Sequence, residues 1–278
     1  MSTCDRCGGG GVVHLQVGHE QAVAEVCRCK LPCPECQGAH FVFEEQDGYD
    51  VAVPCGCQGL VSRVHLFNEA LIPAGYGEKT VPGFVDQGGG NQGEIKIKLA
   101  RYYSQFELET SRGLVLAGDT GVGKTHLVCG LLHYFTLELG IRCRFVDFFA
   151  LTRRIRSTFD KGDEESQASL MRPLVEVPIL VIDELGKGRG TGTATDWEMS
   201  VLDQLISRRY NAGRIVIATT NLKPERWLSS SKAKQGKDVS LEERVGRRVY
   251  SRLAEMCDFH LVSGPDFRAS SNPATASG

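Results

Sequence analysis

Several things are scarce in this 278-residue sequence. Long apolar runs are missing: nowhere do about 18 apolar residues follow one another, as a membrane-spanning helix requires. The opening MSTCDRCGGGG has no basic-then-apolar signal pattern, so the sequence places the chain in the cytoplasm, with no membrane among its partners. Net charge is small, at -2, which excludes a globally basic nucleic-acid binder and leaves only local basic patches for that role. Cysteine is almost absent from most of the chain, with three of the eleven lying beyond Cys57. Those three, Cys129, Cys143 and Cys257, fall in core elements and read as inert.

The other eight cysteines are crowded and ordered. Cys4-x2-Cys7 precedes Cys27-x-Cys29, and Cys33-x2-Cys36 precedes Cys55-x-Cys57. The chain therefore repeats a four-thiol unit, and CRCKLPCPEC is the seam between copies. In a reducing compartment such clusters point to metal rather than disulfides. Two units of four thiolates predict two zinc ions, with Gly8 and Gly38 letting the backbone turn tightly around them. Each unit could use its own four cysteines, or the two could interleave. An iron–sulfur cluster fits the spacing less well. A segment this short cannot fold by apolar burial alone, so metal must hold it. Four thiolates leave no open ligand position, which argues for a docking device rather than a zinc catalyst. Its basic residues are few (Arg6, Arg28 and Lys30), so protein docking ranks ahead of DNA contact.

Composition suggests residues 1–62 as this twin-zinc module and 63–98 as a connector, with a short helix near Leu60–Asn68 and then a Gly-rich run. Residues 99–268 form the core, and the small polar tail 269–278 is expected to be disordered. Within the amino-terminal module, His40–Phe43 and Tyr49–Val53 read as hairpin strands. In the core, strands are expected at Gly113–Ala117, Arg142–Asp147, Pro178–Asp183, Arg214–Thr219 and Phe259–Val262, short and rich in Val, Ile or Leu. Capping boxes at Thr195–Glu198 and Ser240–Glu243 announce two of the intervening helices. Alternating strands and helices predict an α/β fold with a parallel sheet.

Gly118-Asp119-Thr120-Gly121-Val122-Gly123-Lys124-Thr125 fits the phosphate-binding pattern G-x4-G-K-[ST], between a predicted strand and a predicted helix that continues with His126. Residues Gly118 to His126 are the expected nucleotide-binding residues: backbone N–H groups would cradle ATP phosphates, Lys124 would reach the β- and γ-phosphates, and Thr125 would hold Mg²⁺. The strand Pro178-Ile-Leu-Val-Ile-Asp183 ends in two carboxylates: Asp183 for Mg²⁺ and Glu184 to polarise the attacking water. Asn221, after Ala218-Thr-Thr, would stand where the γ-phosphate and lytic water sit.

Together the phosphate loop, LVIDELG, LDQLISRRYNAGRIVIATTNL and RVYSRLAEMCDFHLVSGPDFR closely resemble the DnaC/IstB family of AAA+ ATPases, which are bacterial helicase loaders and transposition helpers. The lead-in LFNEALIPAGYGEKTVPGF extends the likeness from about Leu66 to Arg268. The resemblance implies a five-stranded AAA+ core, ATP-driven self-association and single-stranded DNA binding. It makes Asn221 the sensor-1 residue and Arg252 the arginine finger, with Arg248 in reserve. It also places a helicase-binding part at the amino-terminal end, so a replicative hexameric helicase is the expected partner and a transposase the alternative. The twin-zinc arrangement departs from the simplest members.

Two further surfaces can be read. Arg244, Arg248 and Arg252 fall at i, i+4 and i+8, an expected stripe on one helix face beside Val245, Val249 and Leu253. Arg153, Arg154 and Arg156 with Phe159 offer phosphate contacts and a stacking ring for single-stranded DNA. The alternative there is an ordinary helix with Phe149, Leu151 and Ile155 facing inward. Lys232, Lys234 and Lys237 make a second basic stretch.

Overall fold

The computed structural model describes residues 4–15, 20–46, 48–161, 167–187, 196–228 and 239–270. They divide into two compact units, residues 1–78 with 132–143 and residues 79–131 with 144–278. The capping box at Thr195, the lysines 232, 234 and 237, and the tail from 271 onward lie outside the described residues.

The first unit is built on the repeat. Strand β1 (Val12–Leu15) pairs antiparallel with β2 (Val23–Val26), and β3 (Phe41–Gln46) with β4 (Tyr49–Pro54). Helix α1 (Cys57–Glu69) starts on the last thiol of the series. Asn68 fastens β2 to this helix as a third strand would. Its side-chain oxygen accepts the Ala24 N–H at 2.7 Å, and its amide donates to the Ala24 carbonyl at 3.0 Å. Phe67 is fully buried, with the His14 ring 5.0 Å away. His133 lies 5.4 Å from His14, and burial pushes both imidazoles down from their ordinary pKa.

The second unit carries five strands: β5 (Gly113–Gly118), β6 (Cys143–Asp147), β7 (Ile179–Asp183), β8 (Ile215–Thr220) and β9 (Cys257–Val262). They form one parallel sheet in the order β6-β7-β8-β5-β9. Every residue of β5, β7 and β8 is buried, as expected for apolar strands covered by helices on both faces. Among the described residues the helices are α2 (Gln92–Ser104), α3 (Lys124–Leu137), α4 (Phe148–Lys161), α5 (Gln167–Glu176) and α6 (Asp196–Asn211), with shorter ones after them. On α6, Val201, Leu202, Leu205 and Ile206 face the core at helical spacing. Arg209, on the same helix, is fully buried. Its guanidinium donates to the carbonyls of Leu174 (2.7 Å), Val177 (2.8 Å), Pro178 (3.0 Å) and Ile215, stitching the end of α5 to the starts of β7 and β8.

The expected continuous arginine stripe needs correction. The capping box is present, with Ser240 Oγ accepting the Glu243 N–H and the Glu243 carboxylate accepting the Ser240 N–H. That helix nevertheless ends at Val245, and a second runs from Arg247 to Met256. Gly246 between them has φ +82°, a left-handed conformation that a side chain would strain. Val245, Val249 and Leu253 are all buried as read from the sequence. Arg244 belongs to a different helix from Arg248 and Arg252.

Candidate nucleotide site and thiol clusters

Strand β5 has β8, β7 and β6 on one side and β9 on the other, and at such a reversal the carboxyl ends of parallel strands open a crevice. The phosphate loop lies there. Gly121 (φ +83°) and Gly123 (φ +93°) both need the left-handed region. Both also lack room: a Cβ on Gly123 would stand 2.4 Å from the Phe84 ring, and one on Gly121 would collide with the Asp266 carboxylate.

Lys124 begins α3 with its ammonium turned back into the loop. It donates to the carbonyls of Gly118 (2.9 Å) and Asp119 (2.8 Å) and to Asn221 Oδ1 (2.8 Å) at the end of β8. Burial pushes its pKa down to about 8, against the pull of Asp183, Asp119 and Glu184. Thr125 Oγ1 stands 3.1 and 3.2 Å from the two oxygens of Asp183. Burial raises the Asp183 carboxyl above its ordinary range, while the hydroxyls of Thr219 and Thr125 pull it back. Hydroxyl and carboxylate oxygens are the hard donors Mg²⁺ selects, so this pair fits that ion. Glu184 follows with φ +56°, uncommon for a residue with a side chain, and its N–H donates to Thr219 Oγ1 at 3.0 Å. Its carboxylate is ion-paired with Lys187.

Several supporting residues were not singled out from the sequence. Gln92 is fully buried and donates to the Val122 carbonyl at 3.2 Å. The rings of Phe84 and Phe267 lie 5.4 Å apart beside Gly123, and the Phe267 N–H donates to the Gly121 carbonyl. Lys223 pairs with Asp119 at 3.4 Å. His126, the residue after the motif and one expected from the sequence among the nucleotide-binding residues, also contacts the lead-in: its Nε2 is 3.1 Å from the Thr80 carbonyl, and its ring meets Phe84 edge-on. The short polar runs ATTN and GPDFR held the signal for Thr219, Asp266 and Phe267.

In the first unit the cysteines gather as Cys4, Cys7, Cys27, Cys29 and as Cys33, Cys36, Cys55, Cys57, so each repeat uses its own four. The copies share most of their loop hydrogen bonds. Gly8 N–H donates to the Cys4 carbonyl and Gln37 N–H to that of Cys33, and Gly10 donates to Cys7 as Ala39 does to Cys36. Gly8 and Gly38 both take positive φ. Sulfur separations are 3.8 and 3.5 Å in the first cluster and 3.7 and 3.5 Å in the second. A tetrahedron of ~2.3 Å Zn–S bonds has edges of about 3.8 Å, which these pairs approach, and all four sulfurs of each cluster lie within 4.8 Å of one another, so both sets fit zinc. The thiols are unequal: the Gly11 N–H brings Cys7 down to about 6, and the hydrogen bond with Cys7 pushes Cys29 up to about 12.

Residues 97–241, just over half of the chain, match the model of the family described as IstB-like ATP binding protein. This chain belongs to that family. Among curated proteins it is 26% identical to the replicative helicase loader DnaC of Buchnera aphidicola over 48% of its own length and 52% of that protein. It is also 26% identical to a putative ATP-binding protein in an insertion sequence of Mycobacterium tuberculosis, over 60% of this chain and 59% of that one. It thus spans about half the length of these curated relatives. A crystal structure of the DnaC helicase loader is matched at 27% identity and a TM-score of 0.53, over 68% of this chain and 98% of that one. The second unit is an AAA+ core.

Within this IstB-like core, Arg248 and Arg252 share one partner. Arg252 is 3.4 Å from Asp203 and Arg248 is 3.5 Å from it, but the Arg252 side chain is 19% exposed and that of Arg248 is 70% exposed. Arg252 also lies over the Tyr210 ring. On α4, Leu151 and Ile155 are buried, Phe149 is half-buried, and Arg153 and Arg154 are exposed. Arg156 stacks on Trp197 at 5.1 Å and reaches the buried Glu198 at 3.8 Å. The Phe159 side chain lies outside the described residues.

Proposed function

We propose that the chain is an ATP-hydrolysing helicase loader, which assembles on single-stranded DNA and delivers a replicative helicase through its thiol-rich amino-terminal unit. The observation that carries the ATPase part is the convergence of Lys124, Thr125, Asp183 and Asn221, linked by hydrogen bonds at the carboxyl ends of neighbouring strands. Arriving phosphates replace the two carbonyls and the Asn221 amide as partners of Lys124. Thr125 and Asp183 would hold Mg²⁺, which would supply charge neutralisation for the phosphates. Glu184, freed from Lys187, accepts a proton from the attacking water, and Asn221 orients that water. Arg252 of an adjoining copy completes the site, so turnover is slow until oligomers form. Arg153 and Arg154 are the exposed candidates for phosphate contact with DNA.

Two closed Cys4 clusters give the amino-terminal unit rigidity without chemistry, as a docking element needs. The loader reading is favoured by the match to nearly the whole of the DnaC structure. A second reading, a helper that binds target DNA and recruits a transposase, is favoured by the relative named for an insertion sequence. Intact chain tested against the replicative helicase of its own organism and against any transposase encoded beside it separates the two. Glu184→Gln should bind ATP without hydrolysing it and accumulate as oligomers. Undiminished turnover in Lys124→Ala would refute the ATPase assignment itself.

A further inference from the structure

The two copies of the thiol repeat do not spend their hairpins in the same way. In the first copy, Ala22 and Ala24 are buried, Asn68 clamps both polar groups of Ala24, and His14 packs on Phe67. That hairpin is consumed in holding its own unit together. In the second copy the hairpin β3–β4 stands out. Only its base packs on sulfur, through Val42 against the Cys33, Cys36 and Cys55 cluster. Further along, Phe43 is 66% and Tyr49 76% exposed, with Phe41 and Val51 also open to solvent.

Pairing partners fix which residues share a face. Phe43 lies opposite Ala52 and Phe41 opposite Pro54, so the two rings stand on one face, edge to face at 5.7 Å. Tyr49 and Val51 stand on the other face, opposite Gln46 and Glu44. Both faces of a two-stranded ribbon thus offer large apolar groups to whatever meets them, although such residues usually seek burial. The charge carried by this stretch of chain has one sign. Residues 31–62 contain five acidic residues and no lysine or arginine, and Glu44, Glu45 and Asp50 flank the aromatic groups. The basic residues Arg6, Arg28 and Lys30 all belong to the first copy. A phosphate backbone would be repelled by this surface.

We propose that the β3–β4 hairpin is the docking finger of the protein and that its occupant is an apolar cleft rimmed by lysine or arginine on a protein partner. Phe43 and Tyr49 anchor it from opposite faces, and Glu44, Glu45 and Asp50 set its orientation and speed its capture. This rests on the loader reading and makes it specific: the partner is the replicative helicase, engaged through the second thiol repeat and not the first. The closed cluster beneath supplies stiffness, since a two-stranded ribbon alone is marginal in water.

The test uses intact, zinc-loaded chain and the purified helicase of the same organism, with affinity read by interferometry. Phe43→Ser combined with Tyr49→Ser should weaken binding at least about 30-fold, and Glu44→Lys with Glu45→Lys about tenfold. Wild-type affinity should fall as NaCl rises from about 50 to 300 mM, and the charge-reversed protein should lose most of that dependence. Zinc content and ATP turnover, measured alongside, should match wild type, because these residues are neither ligands nor part of the nucleotide site. Variants that bind the helicase like wild type would overturn the docking finger and leave the loader reading standing. Loss of single-stranded DNA binding or of self-association, with helicase binding intact, would overturn it equally. A wild-type chain that ignores the helicase would remove the loader reading and this inference with it.

Discussion

The pH dependence of ATP affinity follows from one ammonium group. Lys124 is 7% exposed, faces two carbonyls and an amide oxygen, and has its pKa lowered to about 8. Bound phosphates favour the charged form, so the pKa rises when ATP arrives. The sign is then fixed. Below pH 8 the ammonium is already present and affinity does not change with pH through this group. Above pH 8 each bound nucleotide must bring a proton with it, so affinity falls as pH rises, until the pKa of the bound state is reached. With a free-state pKa of about 8, the dissociation constant at pH 9 should be about tenfold larger than at pH 7.5. Secondary phosphate ionisations lie near ~6, so a window from about pH 7.5 to 9.5 isolates the lysine. Titration of a fluorescent ATP analogue in the presence of Mg²⁺ gives the affinity. Calorimetry in buffers of different ionisation enthalpy gives the proton uptake directly. Lys124→Arg, charged throughout, should bind with no such slope. A wild-type dissociation constant that stays constant across the window, with no proton uptake, would refute the buried-ammonium argument.

Two further outcomes are expected. Arg209→Met should destabilise the AAA+ core by about 3–5 kcal/mol in urea unfolding, because it removes a fully buried guanidinium that satisfies carbonyls from three elements; wild-type stability in that variant would show the carbonyls have other partners. Zinc released by acid or by a thiol-modifying reagent should amount to two ions per chain, and Cys36→Ser should give up one of them while the first cluster keeps its own, whereas loss of both would contradict the separation of the clusters.

The parts of the structure visible in the sequence were those where one strong physical demand acts locally. Phosphate binding by backbone N–H groups requires glycines at fixed spacing, and Gly118 to Thr125 show them. Burial on both faces requires strands such as Ile179–Asp183 to be apolar throughout, and they are. Thiol repeats showed themselves by count and interval, although which thiols share a metal depended on how the hairpins fold. What escaped was set by partners distant in the chain. Gln92 is an ordinary helix residue until the phosphate loop lies beside it. Arg209 reads as a solvated end of α6, since nothing local says that α5, β7 and β8 converge on it. The break at Gly246 was missed because the apolar positions around it keep their helical spacing even though the backbone departs for one residue.

The bond between Lys124 and Asn221 has a consequence for how tightly nucleotide binds. Before phosphate can claim the ammonium, a charge-assisted hydrogen bond of about 1.5–3 kcal/mol must be surrendered. Asn221 is therefore a competitor for the lysine, and nucleotide affinity is weaker by roughly ten- to a hundredfold than the phosphate contacts alone would give. Binding strength in such a site is set by the difference between two sets of partners for one ammonium, and the phosphate contacts alone do not give it. Asn221 stands just past the end of β8, so a change of partner at Lys124 would also be a change of bonding at that end of the strand.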